Sequence, residues 1–116
     1  TIGFRGAILG AVENVVRNAV THSPPDSKVI IKTSVNSTDV QIEIIDDGPG
    51  VPSQDLERLF EPFFRTRQST EADANGGVGL GLAIAHRAIT LHNGYIEARN
   101  GVRTGLVVTI SLPIQD

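Results

Sequence analysis

Apolar residues recur along the first part of the chain with helical spacing. Ile8, Val12, Val15, Val16 and Ala19 share one face at about 100° per residue. This predicts a helix over residues 7–20, ended by Ser23-Pro24-Pro25. The period then changes from 3.6 to 2. Residues 29–35 and 40–45 read as strands, and the polar turn Asn36-Ser37-Thr38-Asp39 joins them as an antiparallel hairpin. In the second strand Val40, Ile42 and Ile44 alternate with Gln41 and Glu43, so one face is buried and the other wet. Ser53 is placed to cap a short helix over 54–59. Helical spacing returns over 80–91, with Leu82, Ile84, Ala85, Ala88, Ile89 and Leu91 inward and Asn93-Gly94 as the stop. Two more strands follow, 95–99 and 106–112, joined by a loop over 100–105. Strands interleaved with three helices predict an α/β (α+β) fold. Its form is a two-layer sandwich, a mixed sheet covered on one face by helices.

Three stretches do not fit a purely structural account. On the first helix Ala7, Ala11, Asn14 and Asn18 follow 4-3-4 spacing and line one edge beside the core face. Small residues and amides along one edge suggest a groove for something polar. Glu13 and Arg17, on another side, are spaced for a surface ion pair. The second strand runs into Asp46-Asp47-Gly48-Pro49-Gly50. These residues make a turn, but a turn does not need a carboxylate at the end of an apolar strand. Half-buried there, Asp46 requires a donor. A purine's exocyclic amine would be one.

The third stretch is Gly76-Gly77-Val78-Gly79-Leu80-Gly81-Leu82, directly before the apolar helical run. A packed element would not collect four glycines, since each costs about 0.5–1 kcal/mol. Such a loop is either a phosphate cradle, with bare N–H groups and a helix dipole behind them, or a flexible linker. A Walker A loop is excluded because no lysine follows Lys32. A dinucleotide-binding loop is excluded because the polar residues 67–75, not a buried strand, precede the glycines. Residues 68–75 are expected to be the most mobile part of a lid.

Composition narrows the classes further. The 116 residues, 40% of them hydrophobic, suffice for one domain with a core. A net charge of −3 argues against a general nucleic-acid binder. With no cysteine there is neither a disulfide framework nor a thiolate metal site. No run approaches a membrane span of about 20 apolar residues, and no signal peptide is visible. His22, His86 and His92 lack metal-ligand spacing. The abrupt start in helix-like sequence leads us to expect a piece of a longer protein.

Asn14-Val-Val-Arg-Asn18, Asp46-Asp-Gly48-Pro-Gly50, Phe60-Glu-Pro-Phe-Phe-Arg65 and Gly77-Val-Gly79-Leu-Gly81-Leu82 occur in this order. Together they resemble the N, G1, F and G2 boxes of the ATP-binding catalytic domain of bacterial sensor histidine kinases. That domain is part of the gyrase, Hsp90, histidine kinase and MutL superfamily, with the Bergerat ATP-binding fold. The phrases around Asn14 and Gly79 are similar to envelope-stress sensor kinases of the Cpx type. The resemblance implies Mg²⁺ held by Asn18 with Asn14 assisting, and adenine read by Asp46 with Gly48 and Gly50 close to the base. It implies Arg65, and with it Arg67, on the phosphates. Gly77, Val78, Gly79, Leu80, Gly81 and Leu82 would form the lid and its N–H groups. Thr109 is a candidate support for adenine from the last strand.

The chain also departs from the pattern. The family often has Lys-Tyr where Thr21-His22 stand, so a phosphate contact is missing and His22 is left as a candidate stack on adenine. Val78 replaces a usual Thr or Ser. Hydrolysing relatives carry Glu where this chain has Asn14, an amide that cannot act as a base. The implied function is donation of the γ-phosphate of Mg-ATP to a histidine on a separate dimerisation and phosphoacceptor domain. From there it passes to a response regulator. The protein would be a homodimer, with this part the cytoplasmic domain of an inner-membrane sensor. The alternatives are an anti-sigma-factor type serine kinase of the same fold, or a nucleotide-binding module without catalysis.

Overall fold

The computed structural model describes residues 2–61, 81–102 and 104–114, with 2–5 described as backbone. Helix α1 spans Ile2–His22. It outruns the predicted segment at both ends, and its last turn reaches Ser23, whose N–H donates to the Val20 carbonyl at 3.3 Å. The expected Glu13–Arg17 ion pair is not formed. Arg17 turns to the Asn14 amide oxygen instead, at 3.4 Å.

Strands β1 (Ile30–Val35) and β2 (Asp39–Ile45) make the expected hairpin. Its turn closes on one side chain: Asn36 Oδ1 accepts from the N–H groups of Thr38 at 2.8 Å and Asp39 at 2.7 Å. In place of the helix expected over 54–59 stand two 3-10 turns, Ser53–Asp55 and Glu57–Phe60. Ser53 does not cap. The boundary residue is Pro52, and no side chain bonds the first turn. Helix α2 covers Gly81–Leu91, followed by β3 (Tyr95–Asn100) and β4 (Leu106–Pro113).

The strands form one sheet in the order β1-β2-β4-β3. The expectation of a mixed sheet is corrected: all three ladders among the described residues are antiparallel. Two of those relations are hairpins, which local sequence determines. The third, β2 beside β4, joins segments far apart in sequence, and no local pattern encodes its direction.

The two-layer arrangement with helices on one face is as expected. Ala11, Val15 and Ala19 of α1 and Leu82, Ala85 and Ile89 of α2 pack against Ile44, Ile96, Val108, Ile110 and Leu112. Ala11 therefore belongs to the core and not to the polar groove. Ile84 and Leu91, expected inward, are 53% and 68% exposed. The buried stripe of α2 is only three residues wide, at i, i+3 and i+7. Asn93 ends that helix in the left-handed region at φ 65°. Gly94 serves close packing, since a Cβ there would stand 2.7 Å from both Ile89 Cγ2 and the Ser111 carbonyl oxygen.

Candidate functional site

Asp46 lies just past the end of β2, on the helix-facing side in phase with Ile44, and is 4% exposed. Its N–H donates to the Leu106 carbonyl at 3.0 Å, extending the β2–β4 ladder by one bond. The Leu106 N–H does not return to a backbone carbonyl; it donates to Asp46 Oδ1 at 3.0 Å. The Gly48 N–H donates to the same oxygen at 2.9 Å. The buried carboxylate thus has its donors from backbone, each such bond to a charged acceptor contributing about 1.5–3 kcal/mol. Among the described residues no donor sits on Oδ2. Ser23 Oγ is the only fully buried, unbonded side-chain polar atom among them, so Oδ2 remains accessible. The arrangement offers an incoming ligand one oriented anionic acceptor.

The end of α1 adjoins this loop. A Cβ on Gly48 would stand 2.5 Å from the His22 carbonyl oxygen, so the backbones meet there without room for a side chain. Asn18 lies one turn, about 6 Å, back along α1, and Asn14 one turn further. Both amides are half-buried. Asn18 makes no side-chain hydrogen bond to the described residues, and Asn14 makes only the long one from Arg17. Two neutral amide oxygens one turn apart on one helix edge, both on half-buried residues, fit a hard cation that keeps much of its hydration.

The other wall is the β3–β4 hairpin loop, which the sequence presents only as a connection. Asn100 pairs with the backbone of Val51, Oδ1 accepting its N–H at 2.8 Å and Nδ2 donating to its carbonyl at 2.7 Å. Thr104 Oγ1 donates to the Gly48 carbonyl at 2.8 Å. Gly50, at φ 79°, passes so near Asn100 that a Cβ would lie 2.7 Å from Oδ1. Gly105, at φ 86°, packs against the Asp46 carbonyl, where a Cβ would overlap that oxygen. The loop's composition, Asn-Gly at one end and Thr-Gly at the other, signals a turn and no more.

Thr109 is not part of this pocket. It pairs in register with Glu43 and Glu97, on the sheet face opposite Ile44 and Asp46. Leu106 is the β4 residue beside Asp46. Leu82 is a core residue, so only its backbone, in the first turn of α2, is available to a ligand. Gly81 opens that turn, and a Cβ added there would meet nothing within 4 Å among the described residues. Phe60 packs on the core, and its ring stacks on His86 with centroids 5.5 Å apart. Arg65, Arg67, Gly77, Val78, Gly79 and Leu80, with the lid over 68–75, lie outside the described residues.

Residues 6–116 match the sequence family described as histidine kinase-, DNA gyrase B-, and HSP90-like ATPase. The chain belongs to this family. It is 39% identical over 112 residues to the sensor histidine kinase CpxA of Escherichia coli, a match covering 97% of the chain and 24% of CpxA. The chain therefore spans about a quarter of that relative's length. Among solved structures, the mycobacterial sensor histidine kinase MprB superposes with a TM-score of 0.81 at 32% identity, covering 90% of this chain and 70% of that one. Full-length ShkA in complex with AMPPNP gives a TM-score of 0.77 at 27% identity, covering 93% of this chain and 21% of that one. Asp46, Gly48 and the α1 amides thus stand in an ATPase fold of histidine kinase type.

Proposed function

We propose that this domain binds Mg-ATP and presents the γ-phosphate to a histidine on a separate dimerisation and phosphoacceptor domain. The observation that carries the reading is Asp46, buried, held through Oδ1 by two backbone amides and open at Oδ2. That geometry suits the adenine amine: one donor meets one preoriented acceptor, and guanine would set a carbonyl against it. Family membership and the AMPPNP complex of ShkA support the nucleotide.

In this reading Gly48 and Gly50 let the base lie on the backbone, with His22 beside it at the end of α1. Asn18 and Asn14 would hold Mg²⁺ through their amide oxygens; when bound, the ion neutralises charge on the phosphate oxygens. Arg65 and Arg67 would add positive charge at the terminal phosphates, and the N–H groups of residues 77–81 would cradle them. Asn14 cannot deprotonate water, so ATP is kept for transfer. His22, His86 and His92 are not read as the acceptor, because none stands in the Ser/His-Glu helical context of an acceptor histidine. The acceptor domain, a response regulator as final recipient, homodimerisation and a cytoplasmic place in an inner-membrane sensor complete the proposal. The relatives' names, sensor histidine kinases, support the histidine acceptor, and the rest follows the resemblance of the sequence motifs.

Incubation with γ-labelled ATP and Mg²⁺ tests it. The chain alone should bind the nucleotide and take up no label. Adding the dimerisation and acceptor domain should place acid-labile phosphate on a histidine of that domain. Label on the isolated chain, or none on the added domain despite ATP binding, refutes the transfer role.

A further inference from the structure

We propose that Asn100 is a positioning residue for base recognition, the central rivet of a clamp formed by the β3–β4 hairpin. The inference rests on the reading of Asp46 as the adenine acceptor. Hydrogen bonds spread along its length join the hairpin to the loop from Asp46 to Val51. The Leu106 N–H meets Asp46 Oδ1, Thr104 Oγ1 meets the Gly48 carbonyl, and the Asn100 carboxamide takes both backbone polar groups of Val51. The loop lacks regular secondary structure of its own. Its internal brace is the Gly48 N–H to Asp46 Oδ1 bond, and the hairpin contacts tie it to the rest of the fold.

The Gly101 N–H donates to the Gly105 carbonyl at 2.9 Å, closing the hairpin end. A Cβ on Gly101 would overlap the Thr104 carbonyl, as one on Gly105 would overlap Asp46. Asn100 cannot be replaced by a carboxylate or a hydroxyl with full function. The Val51 N–H and C=O together ask for one acceptor and one donor side by side, which a carboxamide supplies. Through this brace the direction of Asp46 Oδ2 is held at the value that meets a base amine. Asn100 touches no substrate; it acts by fixing the loop that carries the reading group and the two glycines under the base.

The test measures the affinity of ATP and of purine riboside triphosphate, which lacks the 6-amino group, by calorimetry with Mg²⁺. The proteins are wild type, Asn100→Ala, Thr104→Val and Asp46→Asn, together with the Asn100→Ala/Asp46→Asn double variant. Wild type should prefer ATP. Asn100→Ala should cut that preference by roughly tenfold, chiefly by weakening ATP, as expected for loss of about one net hydrogen bond. In the Asp46→Asn background the same change should leave ATP affinity within about twofold, because the group it orients is gone. Equal weakening of both nucleotides by Asn100→Ala, or full additivity with Asp46→Asn, overturns the positioning role. Failure of wild type to bind either nucleotide, or to prefer ATP, overturns the underlying reading of Asp46 instead. Should Asn100→Ala not fold, by circular dichroism, Thr104→Val removes one hydroxyl and carries the same test, with a smaller loss of preference expected.

Discussion

Asp46 Oδ1 accepts the backbone N–H of Leu106 at 3.0 Å, from 60 residues further along the chain. The bond stands where a ladder carbonyl would otherwise be, so the carboxylate ends the β2–β4 pairing and is fixed by it. Asp46→Asn separates this structural job from the adenine recognition proposed for the side chain. Its amide oxygen can keep the Gly48 and Leu106 N–H groups, while the second position becomes a donor facing the ligand's donor. Folding stability should fall by only about 1–2 kcal/mol. ATP affinity should fall by about a hundredfold, as one bond is replaced by a clash of donors. Urea unfolding and calorimetry read the two separately. An unchanged ATP affinity in a folded variant would remove Asp46 from the site.

Much of this is legible in the sequence because it is local. The α1 stripe, the β1–β2 hairpin and the carboxylate at the end of an apolar strand each show within about ten residues. What stays hidden depends on partners distant in sequence. Asn100 and Val51 are 49 positions apart, and nothing in Asn100-Gly101 distinguishes a clamp from a turn. Thr109 falls on the unexpected face for a related reason. Leu106-Val107-Val108 is apolar at every position and buried on both faces, so alternation sets no phase. Only the register with Glu43 and Glu97 assigns Thr109 to the face away from Asp46.

Glycine to alanine changes should act with opposite sign at two positions. Gly105 combines φ 86° with an Asp46 carbonyl where the new methyl would lie. Gly105→Ala should destabilise the fold by about 2–4 kcal/mol, combining backbone strain with displacement of the Asp46 loop. Gly10 is inside α1 with nothing within 4 Å of a Cβ. Gly10→Ala should stabilise by about 0.5–1 kcal/mol through helix propensity. Chemical denaturation of both variants checks the contrast, and a neutral Gly105→Ala would contradict the close approach described here.

Tyr95 gives a pH-dependent signal. Its hydroxyl donates to Glu97 Oε1 at 3.0 Å. That bond, and then the Glu97 charge, raise the phenol above its ordinary value of 10.0. A raised folded value means the neutral phenol is favoured by the fold. The contribution is complete below the unfolded value and is lost as pH climbs through the folded one. Tyr95 is the only tyrosine, so phenolate absorbance titrates it alone. The folded protein should titrate later than the urea-unfolded chain, and Glu97→Gln should move the midpoint down. Coincident curves for wild type and Glu97→Gln would mean the bond does not persist in solution.

In the proposed function, Asn14 bears on whether bound ATP is held or spent. It sits half-buried, four residues before Asn18 on the α1 edge, while Glu13 is exposed on another side of the helix. Hydrolysing members of the superfamily are expected to have glutamate at the Asn14 position, where a carboxylate can take a proton from water. Asn14→Glu places such a base on the same edge without altering the core stripe of Ala11, Val15 and Ala19. Steady-state phosphate release should rise by about tenfold or more, short of the 10²–10⁴ of a fully evolved base because no partner orients it. The paired control is Asn14→Gln, which lengthens the side chain equally but stays neutral. It should not raise hydrolysis; if it matched Asn14→Glu, the effect would belong to loosened metal binding and the missing base would not be what preserves ATP.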